Sequence, residues 1–207
     1  FCLNIVANIA NEIRAFIKNE ENSETFTGHK GSEGLVRGDA GLLDAVIMLL
    51  IMLGMAGISG LGVVALTKNL NILWIGIISA LAAITYSLGP KPYIVYPVGE
   101  VVSGIFVGGI SSLVAIYAQT GQISISAYLY SGISLIMTVF LMSTNNTSDY
   151  EKDKGSRTTL PHVIGFRNSI KIIIPEALLM IACWSALTVM GSVPIWVYLI
   201  GLVIFYE

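Results

Sequence analysis

Apolar residues run through this chain in long blocks, and the polar residues collect between them. No charged residue occurs over 45–67, 69–90, 101–148 or 177–206, and each block meets or exceeds the roughly 20 residues that a bilayer-spanning helix requires. Backbone amides and carbonyls have no water to bond in hydrocarbon, so the blocks are expected to be helices. The third block is too long for one crossing and is interrupted by AQTGQ at 118–122; GSVP at 191–194 divides the last. The pattern predicts helices near 1–17, 44–67, 70–89, 99–118, 124–147, 169–190 and 194–207. That is an all-α, multi-pass transmembrane helix bundle with seven helices in this chain.

The charges then give the bundle a direction. Counting crossings places the loops 18–43, 90–98 and 148–168 on one side, and these hold Lys18, Lys30, Arg37, Lys91, Lys152, Lys154, Arg157 and Arg167. The opposite loops hold only Lys68. Cytoplasmic loops carry the excess of lysine and arginine, so the first side is expected to face the cytoplasm. Of the 207 residues, 55% are hydrophobic and 12% charged, with a formal charge of −2. That balance offers nothing to a nucleic-acid backbone and is greasier than a soluble core requires. Cys2 and Cys183 sit in apolar segments without metal-ligand partners beside them. Phe1 in place of Met, with the apolar pattern running to both ends, reads as a chain truncated at both termini.

The candidate chemistry lies in the two long polar loops. In NNTSDYEKDKGSRTTLPHVIG, 145–165, the side chains of Asn145, Asp149 and Asp153 recur every four residues, one face of a helix that continues past the membrane surface. Two carboxylates and an amide oxygen suit a hard divalent cation such as Mg²⁺, which often shares its coordination sphere with phosphates. The alternative is a solvated helix end whose acids pair with Lys152, Lys154 and Arg157. A second row, Asn8, Asn11 and Glu12, follows i, i+3, i+4 spacing in NIANEIRAFIKNEE, 8–21, with Glu20 and Glu21 at the helix exit. Lys30 and Arg37 follow the first row as Lys154 and Arg157 follow the second, and all four suit phosphate oxygens. Lys-Gly-Ser recurs at 30–32 and 154–156, which suggests an internal duplication.

Other features are weaker. The loop YSLGPKPYIVYPVGE, 86–100, has three prolines and two glycines, and Tyr86, Tyr93 and Tyr96 line it, either as a binding wall or as an interfacial aromatic belt. Glu100 and Glu176 are further acids close to the membrane. His29 and His162 lack zinc-site spacing, and no GxSxG, Walker A, HExxH or CxxC pattern occurs, so serine hydrolase, ATPase and metalloprotease readings lack their parts.

Together, the two acid rows resemble the Asp-rich motifs of the UbiA superfamily of membrane prenyltransferases. The 145–165 stretch is similar to the second motif, and YSLGPKPYIVYPVGE is similar to a segment of the 1,4-dihydroxy-2-naphthoate branch, which serves menaquinone biosynthesis. The first motif departs from the pattern: Ala15 stands where a further Asp is usual, and Glu21 follows Asn19 where a Gly is usual.

The resemblance implies one prenyltransferase domain over 1–207, part of a nine-helix whole, in the plasma membrane with its site toward the cytoplasm. It implies Mg²⁺ on Asp149, Asp153, Asn8, Asn11 and Glu12, and a polyprenyl diphosphate held also by Asn145, Lys154, Arg157, Lys30 and Arg37. Tyr86 would shape the pocket of an aromatic quinone precursor, dihydroxynaphthoate in that branch. Two other readings stay open: a transporter or channel lined by intramembrane polar groups, and a relative that binds prenyl diphosphate without turnover.

Overall fold

The computed structural model describes residues 1–18, 34–155 and 157–206, with side chains described through 201. Its elements are α1 (Cys2–Ile17), α2 (Gly34–Arg37), α3 (Leu42–Thr67), α4 (Leu70–Ser87), a 3₁₀ turn (Tyr93–Val95), α5 (Gly99–Ser103), a π-helical stretch (Gly104–Ile110), α6 (Ser111–Thr120), α7 (Ile125–Ser148), α8 (Leu160–Ile164), α9 (Phe166–Val189) and α10 (Ile195–Tyr206). Helices cover the expected positions to within a few residues, and α5, the π stretch and α6 run as one span, Gly99–Thr120. Among the described residues five helices are long and apolar enough to cross a membrane: α3, α4, the Gly99–Thr120 span, α7 and α9. The short helices α2 and α8 and the π stretch were not foreseen, because elements of one or two turns carry no period to read.

The chain forms two compact units, Phe1–Val95 and Tyr96–Glu207. In the first, α1 packs against α3 and α4; it buries Val6, Ala10 and Ile13 on one face at i, i+4, i+7, and Ala15 on the opposite face. The ends of α3 and α4 are set by local chemistry. The Gly41 amide donates to Asp44 Oδ2 at 2.9 Å before α3, and the Asn71 amide donates to Asn69 Oδ1 at 2.9 Å where α4 starts. None of the α3 side chains is buried. A helix without charge from residue 45 to 67 and with so little of its surface buried suits lipid as its solvent.

In the second unit α7 is the central helix, packed against the π stretch on one side and α9 on the other. Glycine makes the first contact possible: a Cβ on Gly108 would collide with the Ser134 carbonyl, and one on Gly104 with the Val139 side chain. In lipid, where apolar burial between helices gives little, this close backbone approach supplies van der Waals contact. The polar turns of the unit are tied at its other end, where Ser126 and Ser192 share a hydroxyl hydrogen bond of 2.8 Å and Tyr130 donates to the Ser192 carbonyl at 3.0 Å.

Candidate functional site

The second unit carries the more complete cluster. The α7 helix stops at Ser148, and Asp149 has left helical geometry at φ −90°, ψ 13°. The expected continuation of a regular helix through Asp153 is therefore corrected: 149–155 is a series of turns. Four-residue spacing survives in the backbone all the same. The amide of Asp149 donates to the Asn145 carbonyl at 2.9 Å, that of Asp153 to Asp149 at 2.8 Å, and that of Arg157 to Asp153 at 3.1 Å. Charged residues have ended the helix where the apolar run ends, while single turns carry the row onward.

Asp153 is 2% exposed, and Arg157 Nε donates to its Oδ1 at 2.8 Å. Burial pushes the Asp153 carboxyl above the usual aspartate range, with Asp149 adding to the rise and the Arg157 guanidinium opposing it. Asp149 is half-buried and Asn145 exposed at the same mouth. Lys154 turns outward, 72% exposed, with a 3.9 Å contact to Glu151. Such a solvated pair contributes little, so Lys154 is available for other partners while Arg157 is committed to Asp153.

Two residues that the sequence left without a role shape this loop. His162 Nε2 donates to the Tyr150 carbonyl at 2.9 Å, which fixes the tautomer and leaves Nδ1 to accept from the Thr159 hydroxyl at 2.9 Å. Its ring stacks on Tyr150 at 4.7 Å and 13°. Glu100 reaches both ends of the loop: its Oε1 accepts from Asn146 Nδ2 at 2.7 Å, on α7, and from the Leu160 amide at 3.2 Å, where α8 begins. The signal for Glu100 was its place next to Gly99 at the end of a proline-rich loop; its partner had no signal.

In the first unit Asn8, Asn11 and Glu12 stand on α1 as expected. Asn8 is exposed, and Asn11 and Glu12 are half-buried. Glu12 Oε1 accepts from the Leu35 amide at 2.9 Å, which anchors α2 and the end of the basic loop to the acid row. Arg37 is on α2 and pairs with its neighbour Asp39 at 2.7 Å, both exposed; among the described residues it does not pair with Glu12. Ala15 is 6% exposed, so the missing carboxylate corresponds to a buried position. Lys30, Glu20, Glu21 and His29 lie outside the described residues. Tyr86 occupies the last turn of α4, half-buried. Beside it, Arg14 and Lys18 of α1 and Ser87, Gly89, Pro90 and Pro92 line an open cavity of about 340 Å³. Tyr93 and Tyr96 are each about 40% exposed.

The donors at the 145–157 loop suit a hard cation, being carboxylate and amide oxygens with neither sulfur nor a spare imidazole nitrogen among them. Among the described residues no three acidic, histidine or cysteine side chains converge. A metal held here takes its remaining ligands from amides, water or phosphate.

The sequence model of the UbiA prenyltransferase family matches residues 30–206. The chain belongs to that family. Among curated proteins it is similar to the 1,4-dihydroxy-2-naphthoate octaprenyltransferase of Bacillus subtilis (strain 168), 27% identical over 129 residues, 62% of this chain and 42% of that protein. It is also similar to the 1,4-dihydroxy-2-naphthoate octaprenyltransferase of Escherichia coli (strain K12), 23% identical over 154 residues, 73% of this chain and 50% of that protein. The chain thus spans about half the length, or less, of these UbiA-family relatives. No solved structure matches it.

Proposed function

We propose that the chain carries a large part of a membrane prenyltransferase domain that moves a polyprenyl group from its diphosphate to an aromatic quinone precursor, 1,4-dihydroxy-2-naphthoate being the acceptor favoured by the relatives. The observation that carries this reading is the buried Asp153–Arg157 pair in a loop of acids at the mouth of a spanning helix, within a UbiA-family chain. A long isoprenoid tail finds its solvent along the apolar flanks of α7 and α9. The diphosphate lies at the polar loop, on the cytoplasmic face of the plasma membrane.

Mg²⁺ bound through Asp149, Asp153 and the Asn8, Asn11 and Glu12 row would neutralise the diphosphate. The chain's own groups do the rest. Asn145 and Lys154 donate hydrogen bonds to the diphosphate oxygens, and Lys30 and Arg37 add charge-assisted contacts of the same kind. Arg157 sets the orientation of Asp153 and opposes the rise that burial imposes on its carboxyl. As the allylic C–O bond breaks, its electron pair leaves with the diphosphate. The acceptor carbon that bears the carboxyl group forms the new C–C bond, and that carboxyl leaves as CO₂. Tyr86 and the Gly-Pro-Lys-Pro turn bound the acceptor ring, with Arg14 and Lys18 offering positive charge for an aromatic acid.

The test is prenyl transfer in membranes that contain the complete protein, with labelled farnesyl diphosphate and dihydroxynaphthoate, with and without Mg²⁺. Prenylated naphthoquinol is expected only with Mg²⁺, and Asp149→Ala or Asp153→Ala removes it. Tight binding of the diphosphate without turnover would replace the reading with that of a non-catalytic prenyl-diphosphate binder, which the buried Ala15 position favours over a transporter.

A further inference from the structure

Two acids of the second unit carry a charge and an oxygen that the loop does not use. Glu100 opens α5 and is 1% exposed; Glu176 follows Pro175 inside α9 and is half-buried. One face of α7 holds both. Asn146 Nδ2 donates to Glu100 Oε1 at 2.7 Å, and Ser143 Oγ donates to Glu176 Oε1 at 2.9 Å. Residues three apart share a helix face, so the two acids meet α7 on adjacent turns, and they are within electrostatic reach of each other.

The second oxygen of each, Oε2, is buried and accepts no hydrogen bond. Among the described residues neither acid belongs to an ion pair. Holding the loop does not account for this. Glu100 takes the Asn146 and Leu160 donors on Oε1 alone, and a glutamine would accept both. What remains is a surplus oxygen and a surplus negative charge on each of two neighbouring groups.

Ionised carboxylates in such surroundings lose hydration and repel each other. A neutral donor such as a hydroxyl would satisfy an oxygen and leave the charge. A cation answers both. The atoms at hand are all hard: two carboxylates, the Ser143 hydroxyl and the Asn146 amide oxygen, a set that suits an alkaline-earth ion and not zinc or copper.

We propose that Glu100 and Glu176 form a binding site for a hard divalent cation, walled by Ser143 and Asn146, with ligands separate from Asp149 and Asp153. The inference stands on binding and does not depend on the transferase reading. Its consequence is a link to the loop, because the carboxylate that holds the ion also holds the Leu160 amide. An ion there stiffens the far end of the segment that bears Asp153 and Arg157.

The experiment uses the complete protein, purified in detergent, carrying Asp149→Asn and Asp153→Asn so that the loop's own acids are silent. Its unfolding temperature is followed against MgCl₂ and CaCl₂, with NaCl at matched ionic strength. A divalent ion is expected to raise it while NaCl does not, and the isosteric Glu100→Gln or Glu176→Gln change is expected to abolish that rise. In the otherwise native protein, equilibrium dialysis is expected to show one bound divalent ion fewer after Glu176→Gln. Should the two acids merely share a proton, glutamine imitates the protonated acid: unfolding is then unchanged or later and insensitive to divalent ions. That outcome, or an equal ion count with and without Glu176, overturns the proposal.

Discussion

Asp153 and Arg157 are joined twice, by the backbone bond from the Arg157 amide to the Asp153 carbonyl at 3.1 Å and by the side-chain bond from Nε to Oδ1 at 2.8 Å. The backbone bond makes the turn, and the turn aims the guanidinium at a carboxylate that water does not reach. Removing the cation leaves a buried charge without its partner, which costs about 3 kcal/mol for a pair of this kind. Arg157→Ala is expected to lower the unfolding temperature of the detergent-purified protein and to abolish prenyl transfer. Arg157→Lys, which keeps charge but not the Nε geometry, is expected to fall between.

A pH profile reads the same pair from the carboxylate. The Asp153 carboxyl is raised, so the native chain takes a proton more readily than the unfolded one. Its contribution to stability is therefore full below the unfolded-state value and is lost as pH rises through the folded value. The proposed transfer activity runs the other way, since the anion is the form that pairs with Arg157 and could hold a cation. The acid limb of prenyl transfer is expected above the usual aspartate range. The unfolding temperature of Asp153→Asn relative to the native protein is expected to rise with pH across the same window.

Glu12 separates charge from shape. Its Oε1 holds the Leu35 amide, and a glutamine presents the same acceptor. Glu12→Gln is expected to leave the unfolding temperature unchanged while the Mg²⁺ concentration for half-maximal transfer rises roughly tenfold, the usual scale for a perturbed metal ligand set. Glu12→Ala is expected to lose both, with protease cleavage near α2 reporting the released helix.

The Gly108 contact predicts a paired result. Alanine there drives Cβ into the Ser134 carbonyl, a backbone atom that cannot swing away, at a cost of about 2 kcal/mol. Alanine at Gly132, on α7 with nothing within 4 Å of its Cβ, is expected to be neutral or to stabilise by up to roughly 1 kcal/mol through helix propensity. Thermal unfolding of the two variants side by side checks it.

How much of this was legible follows from what each residue competes with. The spanning helices were readable because hydrocarbon leaves the backbone one option, and charge-free runs announce it. Asp149 and Asp153 were readable as a spaced pair, yet their geometry was not, since helix termination at Ser148 depends on hydration of the charged turns after it. Glu100 and His162 were invisible as loop holders because their partners, Asn146, Leu160, Tyr150 and Thr159, are up to 60 residues away or bond through the backbone, which has no residue signature. Ala15 was seen as a departure from the motif, and its burial adds the physical point that a carboxylate there would need a partner or a metal at once.

The join between α3 and α4 has a consequence for how the protein enters the bilayer. Lys68 and Asn69 are all that lie between the two helices, and Lys68 turns the chain by adopting left-handed geometry at φ 52°. A connection that short gives neither helix a stopping place of its own, so the two insert as a pair. Between Asp44 and Lys91 the only charge is the one on Lys68. The hairpin therefore presents a single ammonium at its turn, and insertion scales put a lysine at the centre of a helix at about 3 kcal/mol. The leucine, isoleucine and valine residues on either side, at about 0.5 kcal/mol each, outweigh that cost a few times over.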